Sequence, residues 1–192
     1  PFFAQRENGK TVFIVIAGDR GLAGGYNSNV LKMVQSKLSQ CPDAVVLPIG
    51  KRALDYFTSH KIPVLTGIYA EAAGVSIGDC FSIAKQLSKG FLSGEYKEIE
   101  IAYTNFVSLL SQTPATMHLL PLTCSEEMRR QGCVNGIKYE PSSEEVFASI
   151  VPEYLGGILY GTLCESRASE QAARRSAMDS ATQNAEDMIA DL

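Results

Sequence analysis

The chain has 192 residues, of which 45% are hydrophobic, and it carries a formal net charge of −4 at pH 7. This length holds one ordinary domain plus an extension, with enough apolar content for a packed core. The negative charge argues against nucleic-acid binding, which needs a basic surface. No run approaches the roughly 18 apolar residues of a membrane span, so direct membrane insertion is not expected.

Strands and helices alternate along the first hundred residues. Short β-branched runs bounded by glycine predict strands buried on both faces, and apolar residues at intervals of three and four predict helices. This alternation is typical of a parallel sheet with helices on both faces, a three-layer α/β/α sandwich. The predicted order is strand Thr11–Ala17, helix Asn27–Leu38, strand Ala44–Ile49, helix Lys51–His60, strand Pro63–Ile68, helix Ile77–Leu87 and strand Glu98–Tyr103.

The fifth predicted strand, Ala115–Leu122, departs from this order. Only Thr104–Pro114 separates it from the fourth strand, which is about the minimum length for a crossover that contains a helix. We therefore expect a hairpin-like return, with the fifth strand antiparallel and at an edge of the sheet. Pro114 and Pro121 suit an edge position because proline cannot donate to a sheet ladder.

Residues 141–192 are predicted to form one long helix, and residues 1–140 a Rossmann-like α/β domain. Ser142 followed by Glu145 is a capping-box pattern. About 49 helical residues would span roughly 70 Å, and Pro152 and the pair Gly156–Gly157 are expected to bend the helix. Its first part is bulky enough to pack on the domain, through Val146, Phe147, Ile150, Tyr154, Ile158 and Leu159.

The last part of this helix carries the seam of a helix–helix contact. Small and apolar residues step by three, four, three and four, and alanine on such a seam lets a second backbone approach closely. We therefore expect one half of a coiled coil whose other half the chain does not contain. The seam consists of Met178, Ala181, Ala185, Met188 and Leu192.

A glycine-rich turn, Gly18–Gly25, separates the first strand from the first helix, where many α/β proteins bind phosphate. The turn matches neither G-x-G-x-x-G nor G-x-x-x-x-G-K-[ST], since Arg20 replaces the second glycine. Asp19 would also bring negative charge to the phosphate position. Two interpretations stay open: a nucleotide- or phosphate-binding enzyme, or a tight turn whose glycines adopt positive φ.

The five cysteines are odd in number and contain no C-x-x-C pair, which is typical of reduced thiols in an intracellular protein. Cys124 and Cys133 flank a polar segment and could form a regulatory disulfide, although buried or tolerated cysteine is the simpler interpretation. His60 and His118 lie far apart without neighbouring ligands. No metal site is predicted on that basis.

Two segments at opposite ends of the chain resemble the signatures of one family. DRGLAGGYNSNV at Asp19–Val30 resembles the DRGLCGGLNSN signature of the gamma subunit of F-type ATP synthases, and Ser169–Ile189 is similar to that family's second signature. Gly50–Phe57 and Tyr103–Leu122 are similar to intervening family segments. The resemblance covers nearly the whole chain. It implies truncation at both ends, because the family's N-terminal helix is missing before Pro1 and its C-terminal helix continues past Leu192.

The resemblance implies a five-stranded sheet of order 3-2-1-4-5, with the last strand antiparallel, in a non-catalytic central-stalk subunit. The terminal helices would form a coiled-coil shaft inside the hexamer of alpha and beta subunits, and the domain would sit with the epsilon subunit on the membrane c-ring. Ring rotation would then drive ATP chemistry at the alpha–beta sites, with no cofactor on this chain. The implied location is the cytoplasmic face of a bacterial plasma membrane, with a mitochondrial or plastid origin left open.

The resemblance also implies roles for individual residues. Arg174 matches the arginine on the shaft face that meets the beta subunits, and Glu170, Gln171 and Met178 lie about one turn away, so they would share that surface. A solvated helix face is the alternative. Met178, Ala181, Ala185 and Met188 would face the missing helix, and Asp19, Arg20, Gly21, Gly24 and Gly25 would form a structural turn rather than a nucleotide site. A gamma-like scaffold without synthase partners is a third possibility.

Overall fold

The computed structural model describes residues 2–123 and 142–191. Cys124, Cys133 and the seam residue Leu192 lie outside the described residues, and so do the predictions that concern them. The described elements are β1 (Lys10–Ile16), α1 (Tyr26–Leu38), β2 (Ala44–Ile49), α2 (Lys51–Ser59), a 3-10 turn (Ala72–Gly74), α3 (Ile77–Ser93), β3 (Tyr96–Phe106), β4 (Gln112–Leu120) and α4 (Ser143–Ala190).

Four strands form one mixed sheet in the order β2-β1-β3-β4. β1 is parallel to both β2 and β3, and β4 is antiparallel to β3, so the hairpin-like return is confirmed. The five-stranded sheet is not confirmed: within the described residues the predicted strand Pro63–Ile68 forms only a single bridge, Val46 with Val64. Proline has no N–H at the start of this segment, and the N–H of Ala70 turns back to the carbonyl of Gly67.

Helices cover both faces of the sheet, which confirms the layered α/β architecture. β1 is buried from Thr11 to Ile16 because it lies in the middle of the sheet between the two helix layers. One core lies between the sheet and helices α3 and α4, and it includes Ile83, Phe91 and Leu159. The second core lies beneath α1 and α2, where Val30, Val34 and Phe57 pack on Phe13 and Val15.

α4 is continuous from Ser143 to Ala190 through Pro152. Gly156 allows this helix to lie close to α3, because a Cβ atom at that position would come within 2.4 Å of the Phe81 ring. The N-terminal half does pack on the domain, but mainly through Val151, Leu155, Leu159 and Leu163.

The predicted packing face of α4 is therefore partly wrong. Leu159 is buried as expected, whereas Phe147, Ile150 and Tyr154 are exposed. The physical reason is that this half of α4 carries two apolar stripes, each at helical spacing. Periodicity alone does not tell which stripe faces the sheet.

We expect Gly50→Ala to lower the free energy of unfolding by about 3 kcal/mol or more. Gly50 has a φ of +100°, and an added Cβ would lie 2.1 Å from the carbonyl oxygen of Ala17. Gly24→Ala is the matched control, since Gly24 has a φ of +54° with open space around it, and should cost about 1 kcal/mol. Urea unfolding measures both; equal losses would contradict the steric argument.

Candidate functional site

The glycine-rich turn lies at the carboxyl end of β1. Hydrogen bonds from the Asn27 side chain to its backbone hold it together. The N–H of Gly18 donates to Asn27 Oδ1 at 2.8 Å, and Asn27 Nδ2 donates to the carbonyl of Arg20 at 3.0 Å. Gly25 precedes the first residue of α1, and its carbonyl accepts the N–H of Asn29 at 2.9 Å. The turn is thus a folded unit, joined to α1 by one asparagine.

The Asp19 side chain leaves the turn and binds backbone N–H groups of α2 and of the 3-10 turn. Its carboxylate accepts the N–H groups of Lys51 at 3.2 Å, Ala72 at 2.7 Å and Ala73 at 3.0 Å. Lys51 is the first residue of α2, where the helix dipole favours a negative charge. These N–H donors therefore already bind a carboxylate of the same chain, which links the turn to α2 and to the 3-10 turn.

The two sequence signatures meet where α4 crosses this turn. Glu170 and Arg174 form an ion pair at 2.6 Å, with side chains only 13% and 17% exposed, and Arg174 Nη2 lies 3.5 Å from the carbonyl oxygen of Gly21. A Cβ on Gly18 would come within 2.6 Å of Glu170 Oε1, so glycine is needed there for the carboxylate to approach the turn. Sequence separation had hidden this contact.

Residues just before the ion pair fasten α4 to the end of β3. β1 pairs with β3 only as far as Ala102, so the later residues of β3 lack a neighbouring strand on that side. Ser166 Oγ accepts the N–H of Thr104 at 3.1 Å, and Ser169 Oγ donates to its carbonyl at 3.2 Å. Glu165 Oε1 accepts the N–H of Phe106 at 3.1 Å. Side chains of α4 therefore replace the missing strand.

Arg167 adds a third attachment point. Its guanidinium donates to the carbonyl of Ala72, and to that of Val75 at 3.0 Å, on the 3-10 turn whose N–H groups are bound by Asp19. We call this set of contacts the joint, and it comprises Glu165, Ser166, Arg167, Ser169, Glu170 and Arg174 of α4 with the backbone segments they bind. Of these residues, the sequence had predicted a role only for Glu170 and Arg174. The run of polar residues after Leu163 is the pattern that could have indicated the others.

Tyr26 lies buried inside the joint and was also missed from the sequence. Burial raises the pKa of its phenol well above the usual range, and the neighbouring Glu170 carboxylate raises it further. The Ser166 hydroxyl and the Arg174 charge oppose this shift. Tyr26 therefore stays protonated and links α1 to the polar face of α4.

The remaining predicted site residues lie either in the glycine-rich turn or on the exposed surface of α4. Arg20 is exposed, and its carbonyl is held by Asn27. Gly21 lies against Arg52. The expectation of positive φ holds for Gly24 only: Gly18, Gly21 and Gly25 have other conformations, and the second positive φ of the turn is at Leu22. On α4 the predicted partner-binding residues beyond the joint are all exposed: Gln171, Met178, Ala181, Ala185 and Met188.

Comparison with known proteins gives one consistent result. A family model described as ATP synthase matches residues 1–192. The ATP synthase gamma chain of Ruminococcus albus is 41% identical over 98% of this chain and 66% of its own length, and the sodium ion specific gamma chain of Acetobacterium woodii is 40% identical over 98% and 68%. The chain thus spans about two thirds of the length of these relatives.

Solved structures agree with the fold. The central stalk of the Tetrahymena thermophila mitochondrial ATP synthase superimposes with a TM-score of 0.70 at 24% identity, covering 93% of this chain and 79% of that one. The Euglena gracilis mitochondrial ATP synthase rotor gives a TM-score of 0.65 at 17% identity, covering 94% and 69%.

The ion pair of the joint should stabilise the fold more than a neighbouring exposed pair. Glu170–Arg174 and Arg175–Asp179 share the i,i+4 spacing, but the second pair is 75–80% exposed at 3.8 Å. Double-mutant cycles to alanine should give a coupling of about 1.5 kcal/mol or more for the first pair and below about 0.5 kcal/mol for the second. Equal coupling energies for the two pairs, measured by chemical unfolding, would show that burial in the joint does not strengthen the Glu170–Arg174 pair.

Stability should fall above pH 10 because the pKa of the Tyr26 phenol is raised in the folded state. The unfolded chain then releases a proton that the folded chain keeps, so the free energy of unfolding decreases as pH rises, by up to about 1.4 kcal/mol per pH unit from this group. Tyr26→Phe should flatten that decrease, whereas Tyr154→Phe, at an exposed position, should not. Unfolding curves between pH 9 and 11 test this; identical slopes in all three proteins would contradict it.

Proposed function

The chain belongs to the gamma-chain family of ATP synthases, and from that premise we propose that it is the central-stalk, or rotor, subunit of a rotary ATP synthase. In this role it couples ion-driven rotation of a membrane c-ring to ATP synthesis or hydrolysis. The chemistry takes place on the alpha and beta subunits, and this chain contributes no catalytic site. Its partners are the alpha and beta subunits, the epsilon subunit and the c-ring. Bacterial relatives support a peripheral location at the cytoplasmic face of the plasma membrane.

The observation that carries the proposal is the free-standing C-terminal third of α4, which follows Arg174. The last buried residue of the helix is Ala172, and every residue from Met178 to Asp191 is exposed. Eighteen further residues reach Ala190, a projection of about 27 Å beyond Ala172. A helix of this length is marginal in water by itself, which supports a second helix along its seam.

The exposed seam also extends back along the domain, further than the sequence pattern had indicated. At heptad spacing, exposed apolar or small residues continue from the seam to the start of α4. Gly157 and Gly161 have no heavy atom within 4 Å of a would-be Cβ, so they leave room for a close second backbone. Two exposed columns with a spacing of seven lie side by side: Ile150, Gly157, Cys164, Met178 and Ala185, interrupted at the polar Gln171, and Phe147, Tyr154, Gly161 and Ala168.

Two apolar faces also explain the composition of α4. Contrary to the expectation from the sequence, an 18-residue window of this helix is apolar enough by length and composition to cross a membrane, and 33% of the window is buried inside the protein. One of its faces packs on α3 and the sheet, and the other is the exposed seam. We propose that both faces are used in protein–protein packing and that the subunit reaches the membrane only through its partners.

The joint suits the transmission of torque. It binds α4 to three separate backbone segments, at Thr104, Ala72 and Gly21, over the residues from Glu165 to Arg174. Contacts distributed in this way oppose rotation of the helix about its own axis relative to the sheet. We propose that Glu170 and Arg174 serve this joint, while exposed Gln171 and Arg175 are available to the beta subunits.

The nucleotide-binding enzyme is not favoured. A phosphate in the Gly18–Gly25 turn would need free N–H donors there, but the N–H groups of Gly18 and Tyr26 bind Asn27 Oδ1 and the carbonyl of Ala23, and Asp19 adds a carboxylate to the turn. The carboxylate would also repel a phosphate placed beside it.

Ala185→Glu should impair assembly in the complete complex with its alpha and beta subunits. A carboxylate buried on the coiled-coil seam without a partner costs more than about 1.4 kcal/mol, so the yield of assembled complex should fall about tenfold or more. ATP-driven ion pumping should fall with it. Size-exclusion chromatography and a pumping assay provide the measurements.

Ser180→Glu is the matched control, because it lies five residues away and therefore about 140° around the helix. This variant should assemble and pump as the parent protein does. Normal assembly and pumping by Ala185→Glu, with near-ultraviolet circular dichroism unchanged, would contradict the proposed role of the seam.

A further inference from the structure

One cluster of side chains lies outside the joint and the seam. Glu98 and Glu100 of β3 and His118 of β4 each place a ligand atom within 4.8 Å of the others. The two glutamates share a sheet face because they are two residues apart on one strand. His118 is the cross-strand partner of Glu100, next to an irregularity in the pairing at Ile99. The sequence had indicated no metal site because these residues are 18 to 20 positions apart.

The hydrogen bonding of His118 brings two acceptor atoms into contact, its own Nδ1 and Glu98 Oε1. His118 Nε2 lies 2.8 Å from the carbonyl oxygen of Pro121, and since a carbonyl only accepts, Nε2 carries the hydrogen. In the neutral ring Nδ1 then has a bare lone pair, and it lies 3.3 Å from Glu98 Oε1. Two lone pairs at this distance repel unless a proton on Nδ1 or a metal cation lies between them. A carbonyl that holds the distal N–H is the usual support of a metal-bound histidine.

Glu100 can contribute a second carboxylate without losing its present partner. Its Oε2 atom binds the ammonium of Lys37 at 2.5 Å, which leaves Oε1 for another ligand. The cluster also has access from solvent, because Glu98 and His118 line an open cavity of about 680 Å³ together with Pro121 and Thr123. A small ion and a water molecule can therefore enter.

We propose that Glu98, Glu100 and His118 bind a divalent transition-metal ion of the zinc class, with water completing a tetrahedral site. One imidazole nitrogen and two carboxylate oxygens are ligands that Zn²⁺ accepts in open sites, and imidazole selects against Mg²⁺ and Ca²⁺. The bound ion would cross-link β3 to the edge strand β4. This site is independent of the seam and the joint, so it can stand or fall separately from the rotor proposal.

Cobalt titration tests the site, since Co²⁺ replaces Zn²⁺ and gives visible absorption bands. The protein should show bands typical of a tetrahedral nitrogen–oxygen site, which Zn²⁺ then removes by competition. His118→Ala should weaken binding by more than about tenfold, whereas His60→Ala, which removes the other histidine, should leave it unchanged. Glu98→Gln should also weaken binding, with exposed Glu153→Gln as its control.

Long-range ¹H–¹⁵N spectra of the histidine rings supply a second readout that does not depend on a variant folding. Zn²⁺ should shift His118 Nδ1 and leave the ring of His60 unaffected. Unchanged spectra would show that only a proton lies between His118 and Glu98, which would overturn the proposal. A sulfur-to-cobalt charge-transfer band would do the same, because it would place the metal on a cysteine thiolate.

Discussion

The structure depends on how the backbone of β3 is satisfied beyond the end of β1. A buried strand cannot leave its N–H and carbonyl groups without partners, because each orphaned group costs about 1–3 kcal/mol. The partners of buried Thr104 are Ser166 and Ser169 of α4, and Glu165 adds a bond to the exposed N–H of Phe106. These bonds determine where the helix crosses the sheet edge. They consequently determine where the free C-terminal third of the helix projects.

The same crossing brings a helix of the C-terminal region onto the glycine-rich turn near the start of the chain. Gly18 has no side chain to obstruct Glu170, and the carbonyl of Gly21 faces Arg174. Asp19 binds the far side of the turn to α2 and to the 3-10 turn, which Arg167 holds through its carbonyl groups. A turn that in other α/β proteins binds a phosphate contacts α4, α2 and the 3-10 turn in this protein. In this protein the N–H of Gly18 binds Asn27 Oδ1, and Asp19 places a carboxylate in the turn.

α4 combines two tasks on two faces. Its N-terminal half buries Val151, Leu155 and Leu159 against the domain, and the exposed stripe continues from Phe147 to Ala185 on the other side. The packed face anchors the helix in the core, so the projecting part extends from a stable base. The exposed stripe is available to a second helix over nearly the full length of α4. A helix with only one apolar face could be anchored or paired, but not both.

The amino-acid sequence by itself determined the alternation of strands and helices, the antiparallel return at β4 and the family, because periodicity, proline positions and two local signatures are short-range properties. It also indicated the seam at Met178–Met188, since spacing of three and four is visible without coordinates. Only the tertiary structure decided that Pro63–Ile68 is a bridge rather than a strand and that Leu155 rather than Tyr154 faces the core. It likewise brought Tyr26 to Glu170, and His118 to Glu98. These outcomes depend on which groups compete for the same neighbours, and that competition exists only once distant segments are packed together.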